Sequence, residues 1–204
     1  MKFLITSGPT REYLDPVRYM SNGSSGRMGA ALAAAVLKHG GQAVVVSGPV
    51  AVAYPKDADL HWVETTEQML RKSEELFPSC DVLIGAAAPA DFRPKSISLH
   101  KIPKGDLTLE FIETPDILAT LGRQKAAHQK ILAFALETKE GHRRAIQKMR
   151  KKNADWIALN TPKTIGGDDI SLELIAADGQ TILTLHGEKN SVARKLIDFL
   201  AGGQ

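Results

Sequence analysis

A single cysteine, Cys80, occurs in 204 residues. One thiol closes no intrachain disulfide and builds no cysteine metal cage, so the chain suits a reducing compartment. Long hydrophobic runs are missing too, since no apolar stretch approaches the roughly 18 residues that a membrane helix needs. The opening Met-Lys-Phe-Leu-Ile-Thr has the length of a strand, whereas a secretory leader needs a longer apolar run and a cleavage site. Neither charge sign dominates, with 26 Lys and Arg against 23 Asp and Glu and a net charge of +3. The cations are spread along the chain except at Lys148-Met-Arg-Lys-Lys152. That balance suits an acidic small-molecule substrate and argues for neither nucleic acid nor membrane as a partner. The six histidines show no metal-ligand spacing, so no side chains are assigned to a metal. Ser24 and Ser25 lack a G-x-S-x-G setting. The expectation is a soluble, cytoplasmic protein whose 43% hydrophobic residues bury one core, with residues 1–204 read as one domain.

What is present is alternation. Short apolar runs at 2–6, 43–47, 81–86, 130–135 and 155–159 read as buried strands, and helical segments at 25–39, 66–77, 116–123 and 141–152 fall between them. Continuously apolar strands interleaved with helices predict an α/β fold, a doubly wound, mostly parallel, Rossmann-like sheet covered on both faces. Two stretches break the rhythm. Residues 107–112 alternate in hydrophobicity and residues 171–185 fold about Asp178-Gly179, so both are read as antiparallel structure that forms an added β flap. A helix at 190–200 is expected to close back on the sheet.

In an open parallel sheet, ligands bind beyond the carboxyl ends of the strands. Here those ends are small and polar: Ser7, Gly8, Thr10 and Arg11; Ser47-Gly48-Pro49; Ala87-Ala88-Pro89-Ala90-Asp91; Leu136-Glu137-Thr138; and Asn160-Thr161. Gly8 ends the first strand, yet the helix is delayed to about Ser25, and the loop between them adds side chains to backbone amides. Asn22, Ser24, Ser25 and Gly26 set a carboxamide, hydroxyls and amides at a helix N-terminus, where an anion gains roughly 0.3–1 kcal/mol from the dipole. Phosphate is the natural guest, and an ordinary serine cap is the plain alternative. Gly29 lets the helix approach the sheet. The small-residue run 85–94 admits a flat base or sugar, with Asp91 placed to accept from a base amino group or ribose, to hold Mg²⁺ through water, or simply to cap a turn. Lys101 and Lys104 sit on a loop able to close over a triphosphate, although most exposed lysines have no such role. Lys148 and Lys152 share a helical face behind the strand that carries Phe134, where a solvated basic face and a core aromatic are the default readings. The second strand ends without the Asp or Glu that reads a ribose, which counts against an NAD(P)-dependent reductase.

Taken in order, eight segments resemble the successive motifs of phosphopantothenoylcysteine synthetase. They are Ile5-Thr-Ser-Gly-Pro-Thr-Arg-Glu, Leu14-Asp-Pro-Val-Arg-Tyr, Ser21-Asn-Gly-Ser-Ser-Gly-Arg-Met-Gly, Val46-Ser-Gly-Pro, Ala87-Ala-Pro-Ala-Asp-Phe-Arg-Pro, Lys101-Ile-Pro-Lys, Pro115-Asp-Ile-Leu and Phe134-Ala-Leu-Glu-Thr. The resemblance implies a ligase of coenzyme A biosynthesis that joins 4′-phosphopantothenate to L-cysteine through an acyl-nucleotide. CTP is the cosubstrate it implies for a bacterial form and ATP for a eukaryotic one, with Mg²⁺ carried mainly by the triphosphate. It makes Asn22 and Lys101 the catalytic residues. Beside Gly8, Ser24, Ser25 and Gly26 of the phosphate loop, it adds Ala87, Ala88, Asp91, Pro115, Asp116, Ile117, Leu118, Phe134, Lys148 and Lys152 as nucleotide contacts. It also implies a homodimer formed through the β flap, and a decarboxylase partner, fused or separate. The sequence departs from the family pattern at Pro89, Pro103 and Thr114, where Val, Lys and Asn are usual. A catalytically silent nucleotide-binding regulatory module is the competing function, and the retained Asn22 and Lys101 weigh against it.

Overall fold

β1 (Lys2–Ser7) runs almost wholly buried through an eight-stranded sheet in the computed structural model, which describes residues 1–136, 140–160 and 169–202. The chain then forms a small hairpin, β2 (Arg11–Tyr13) with β3 (Tyr19–Ser21), before α1 (Arg27–Lys38), β4 (Gln42–Ser47), β5 (Asp59–Trp62), α2 (Thr66–Leu76) and β6 (Val82–Gly85). A second small antiparallel pair, β7 (Phe92–Pro94) with β8 (Phe111–Glu113), precedes α3 (Ile117–Gln124), β9 (Lys130–Leu136), α4 (Gly141–Lys151) and β10 (Trp156–Asn160). Then come β11 (Asp169–Ala176), β12 (Thr181–Glu188) and α5 (Lys189–Leu200). The sheet order is β12-β11-β10-β9-β6-β1-β4-β5, parallel from β10 to β5 and antiparallel at β11 and β12.

Successive strand side chains point to opposite faces, and β1 divides its residues between two cores accordingly. Phe3 and Ile5 pack with Leu32 and Val36 of α1 and with Leu196 and Ile197 of α5. Leu4 packs instead with Met69 of α2, Leu121 of α3 and Met149 of α4. The doubly wound, mostly parallel sheet expected from the alternation is therefore present, with helices on both faces. Among the described residues, no helix is long and apolar enough to cross a membrane. α1 and α2 begin differently. α2 begins at a capping box in which Thr65 accepts the Gln68 amide and Gln68 accepts the Thr65 amide, both at 3.2 Å. α1 has Gly26 at φ 70° before it and no side-chain cap, so it starts at Arg27 rather than Ser25 and the serine-cap alternative does not hold.

The expected β flap needs correction. Of residues 107–112 only Phe111 and Ile112 enter a strand, paired with β7, and past Pro94 the Lys95 amide still donates to the Glu110 carbonyl at 2.9 Å. The hairpin about Asp178-Gly179 does form, with Gly179 at φ 88°. It belongs to the main sheet, however, because β11 buries Ile170, Leu172 and Leu174 beneath α5 and pairs with β10. β2, β3 and the edge strand β5 were not foreseen; β5 is short and polar along half its length.

Gly29 sits where α1 crosses the end of β1, and a Cβ there would overlap the Ser7 hydroxyl. Gly29→Ala is expected to lower the urea-unfolding free energy by about 1–3 kcal/mol through overpacking, with circular dichroism as the readout.

Candidate functional site

The carboxyl ends of β1, β6 and β9 open into a cavity of about 500 Å³ walled by α3 and α4. Its smaller side chains are Gly85, Ala87, Pro89 and Ala90, and its larger apolar ones are Ile117, Leu118 and Phe134. Lys148, Lys151 and Lys152 stand on the α4 side, and Asp91 and Asp116 supply carboxylates. Glycine makes this closeness possible, since a Cβ on Gly85 would strike the Leu118 side chain and one on Gly122 would overlap the Lys152 carbonyl. An apolar slot ending in cations is the chemistry of a base-and-phosphate ligand.

Asp116 organises the cationic end. Its carboxylate accepts the Ala119 amide at 3.1 Å as the cap of α3, and Lys152 Nζ lies 2.6 Å from its Oδ1. Half-burial pushes the Asp116 carboxyl upward, but the Lys152 hydrogen bond, the Ala119 amide and the charges of Lys152 and Lys151 outweigh it and hold the group below its ordinary value. The ion pair also fixes Lys152 toward the slot.

The phosphate-loop residues form a neighbouring structure. Gly8 at φ 71° and Gly26 at φ 70° lie together under Val50, whose Cγ1 would be 2.8 and 2.9 Å from a Cβ on either. Tyr54, absent from the sequence-based site, donates its hydroxyl to Ser7 at 2.7 Å and lies 2.8 Å from the Ser47 hydroxyl. Ser24 accepts the Gly26 amide at 3.5 Å, and Ser25 is exposed. Asn22 joins this loop to the slot, its side-chain amide donating to the Pro89 carbonyl at 2.9 Å. The main chain joins them as well, through the Ala88 amide to the Gly8 carbonyl at 2.8 Å.

The structure thus brings Ala87, Asp91, Pro115, Asp116, Ile117, Leu118, Phe134, Lys148 and Lys152 to one cavity, with Asn22, Ala88 and Gly8 at its rim. It leaves Lys101 outside, in a separate depression with Arg18, Lys104 and Leu107. Lys151, Glu113 and Thr114 line the cavity without having been singled out; Lys151 was hidden inside a basic run that also contains the outward Arg150. Glu137, Thr138 and Thr161, read as strand-end residues, lie outside the described residues. Among the described residues no group of three or more His, Cys, Asp or Glu is placed to hold a metal ion.

The family model described as "DNA/pantothenate metabolism flavoprotein C-terminal domain" matches residues 1–202. The coenzyme A biosynthesis bifunctional protein CoaBC of Bacillus subtilis is 40% identical over 166 residues, which cover 80% of this chain and 41% of that protein. Its Escherichia coli K12 counterpart is 36% identical over 207 residues, 97% of this chain and 51% of that protein. The crystal structure of a CoaBC C-terminal domain superposes with a TM-score of 0.83 at 35% identity, covering 98% of this chain and 95% of that one. The chain spans about half the length of the curated relatives it matches. The resemblance drawn from the motifs is borne out.

The Asp116 carboxyl is held low, so its stabilising effect is fully present above the unfolded value of about 3.9. It declines as pH falls through the lower, folded value. Asp116→Asn retains a cap, since Asn caps as well as Asp, and loses the charge. Its urea-unfolding free energy should fall short of the parent's by about 1 kcal/mol or less between pH 7 and 5, and the gap should close under more acid conditions.

Proposed function

Since the chain belongs to the family of DNA/pantothenate metabolism flavoprotein C-terminal domains, we propose that it is a ligase of coenzyme A biosynthesis joining 4′-phosphopantothenate to L-cysteine. In this reading the substrate carboxylate attacks the α-phosphorus of CTP, pyrophosphate leaves, and an acyl-cytidylate forms. The cysteine amine then attacks the acyl carbon, the C–O bond to the nucleotide breaks, and CMP leaves as the amide forms. The observation that carries the reading is the Asn22 amide on the Pro89 carbonyl, which sets a polar side chain of the first loop at the mouth of the slot. Phe134, Ala87 and Leu118 supply flat and small surfaces for the base, and Lys148, Lys151 and Lys152 supply charge for the phosphates.

CTP is preferred to ATP here on the motif form alone. The donor set fits Mg²⁺ carried by the triphosphate, because the cavity offers three lysines and, in Asp91, Glu113 and Asp116, carboxylates that are not grouped as a cage. When bound, the metal would neutralise the departing pyrophosphate. Asn22 orients the mixed anhydride for amine attack, and Lys101 assists its formation once its loop moves across to the slot. Residues 1–204 act as one domain in the cytoplasm, next to a phosphopantothenoylcysteine decarboxylase, fused or separate. A homodimer is also proposed. Leu99 is 86% exposed, and Val17, Ile97, Phe92 and Phe111 join it as uncovered apolar side chains around the two small hairpins. A second reading, a regulatory module that binds nucleotide without ligation, draws on the position of Lys101 outside the slot.

Pyrophosphate release that requires both CTP and 4′-phosphopantothenate, and that is weaker with ATP, is the expected outcome; release without the pantothenate ester would remove the ligase reading. Lys101→Gln should slow that release about a hundredfold. Asn22→Asp should instead slow amide formation more than activation in single-turnover experiments, because its charge would oppose the phosphoanhydride. Light scattering should give twice the chain mass at micromolar concentration, and a monomer would remove the dimer.

A further inference from the structure

The turn over residues 14–18 joins β2 to β3, and within it Asp15 is fully buried although it carries a carboxylate. Its two oxygens do different things. Oδ1 accepts the amides of Val17 and Arg18, both at 2.8 Å, and folds the turn. Oδ2 reaches 87 positions along the chain to accept the Ile102 amide at 3.1 Å, and it also faces Arg18 Nη1 at 3.3 Å. Arg18 returns through Nη2 to the Ile102 carbonyl at 3.0 Å. Both polar groups of one peptide residue are therefore held by one ion pair. The Ser98 amide donates to the Leu14 carbonyl at 3.0 Å, so the strap 98–102 is fastened to the turn at each end. Lys101 lies inside the second fastening, next to Ile102.

The other arm of the turn leads through β3 to Asn22. Ser21 donates its hydroxyl to the Thr10 carbonyl at 2.7 Å, and Asn22 donates to Pro89 at 2.9 Å. An aspartate that only closed its own turn would need one oxygen and would sit at the surface, where Asp turns ordinarily lie. Burying the carboxylate is favourable only when its lone pairs are filled, and here a distant peptide fills them. Burial alone would push the Asp15 carboxyl upward, but the amides of Ile102, Val17 and Arg18 and the Arg18 charge prevail and hold it below its ordinary value. It is ionised at neutral pH.

We propose that Asp15 is a positioning residue that fastens the base of the Lys101 strap to the turn carrying the Asn22 arm, so that Lys101 moves toward the slot from an anchor held beside that arm. The proposal rests on the ligase reading and adds to it a residue that touches neither substrate. The strap cannot drift without drawing on the Asn22 arm, which limits how far Lys101 swings.

Asp15→Asn tests this selectively. The carboxamide oxygen still accepts the two turn amides, while its NH₂ meets the Ile102 amide and the Arg18 guanidinium, donor against donor. Hydrogen exchange at Ser98 and Ile102 should quicken by about tenfold or more. Pyrophosphate release should slow about tenfold to a hundredfold, with KM for CTP unchanged because the slot residues are untouched. The double variant Asp15→Asn/Lys101→Gln should be no slower than Lys101→Gln alone, since one residue acts through the other. Parent-like turnover in Asp15→Asn, or losses that multiply in the double variant, would overturn the proposal. Should Asp15→Asn fail to fold, the unaltered chain decides the matter: an Ile102 amide that exchanges as fast as those of Lys104 and Gly105 overturns it, and a protected one upholds it. An unaltered chain that releases no pyrophosphate removes the ligase reading, and exchange at Ile102 with and without the substitution then decides the fastening by itself.

Discussion

The Thr10 hydroxyl is the joint on which this site depends. Buried beyond solvent, it accepts the Ala90 amide at 2.8 Å and lies 2.8 Å from the Thr66 hydroxyl, while the Thr10 carbonyl accepts from Ser21. Three separate pieces meet there: the floor of the slot, the first turn of α2 and the arm that ends in Asn22. Glu12, also buried, takes the Thr66 amide at 2.8 Å. Thr114 donates to the Ala90 carbonyl at 2.5 Å, so threonines hold Ala90 at both its amide and its carbonyl. An unpaired buried polar group costs on the order of 1–3 kcal/mol, which makes this set close to all-or-none.

Around that joint, binding and closure are built from different materials. The slot has its floor pinned by threonines and its wall set by Gly85 against Leu118. Its cationic end is held by Asp116, whose carboxylate pairs with Lys152 beside Lys148 and Lys151. The Lys101 strap lies outside, fastened to the turn at residues 14–18. Under the proposed two-step reaction, such a division would leave nucleotide affinity to the pinned slot and the activating charge to the separate strap.

The elements legible in the sequence are those whose burial is two-sided. β1, β4, β6, β9 and β10 are nearly continuous apolar runs because both faces of the sheet are covered, and their composition announces it. β2, β3, β7 and β8 have three residues each and are held by long-range contacts such as the Arg11 amide to the Glu64 carbonyl, so no local period marks them. The site divides similarly. Residues at strand ends were foreseen because topology sends those positions to the ligand side, whereas those at the α3 cap came through the family resemblance. Tyr54 and Lys151 were not, since each acts through spatial neighbours rather than through a motif, and Asp15 reads in sequence as an ordinary turn aspartate.

The seating of α5 on α1 has a consequence for the order in which the chain can settle during synthesis. Ala31, Leu32, Ala35 and Val36 pack with Val192, Ala193, Leu196 and Ile197, so one face of α1 stays open until α5 has been made. β1 likewise waits for β6, some 80 residues later, before its second edge is paired. A nascent fragment that stops after β10 therefore carries an uncovered alanine-rich helix and an unpaired strand edge, and chaperone demand should persist until β11, β12 and α5 emerge.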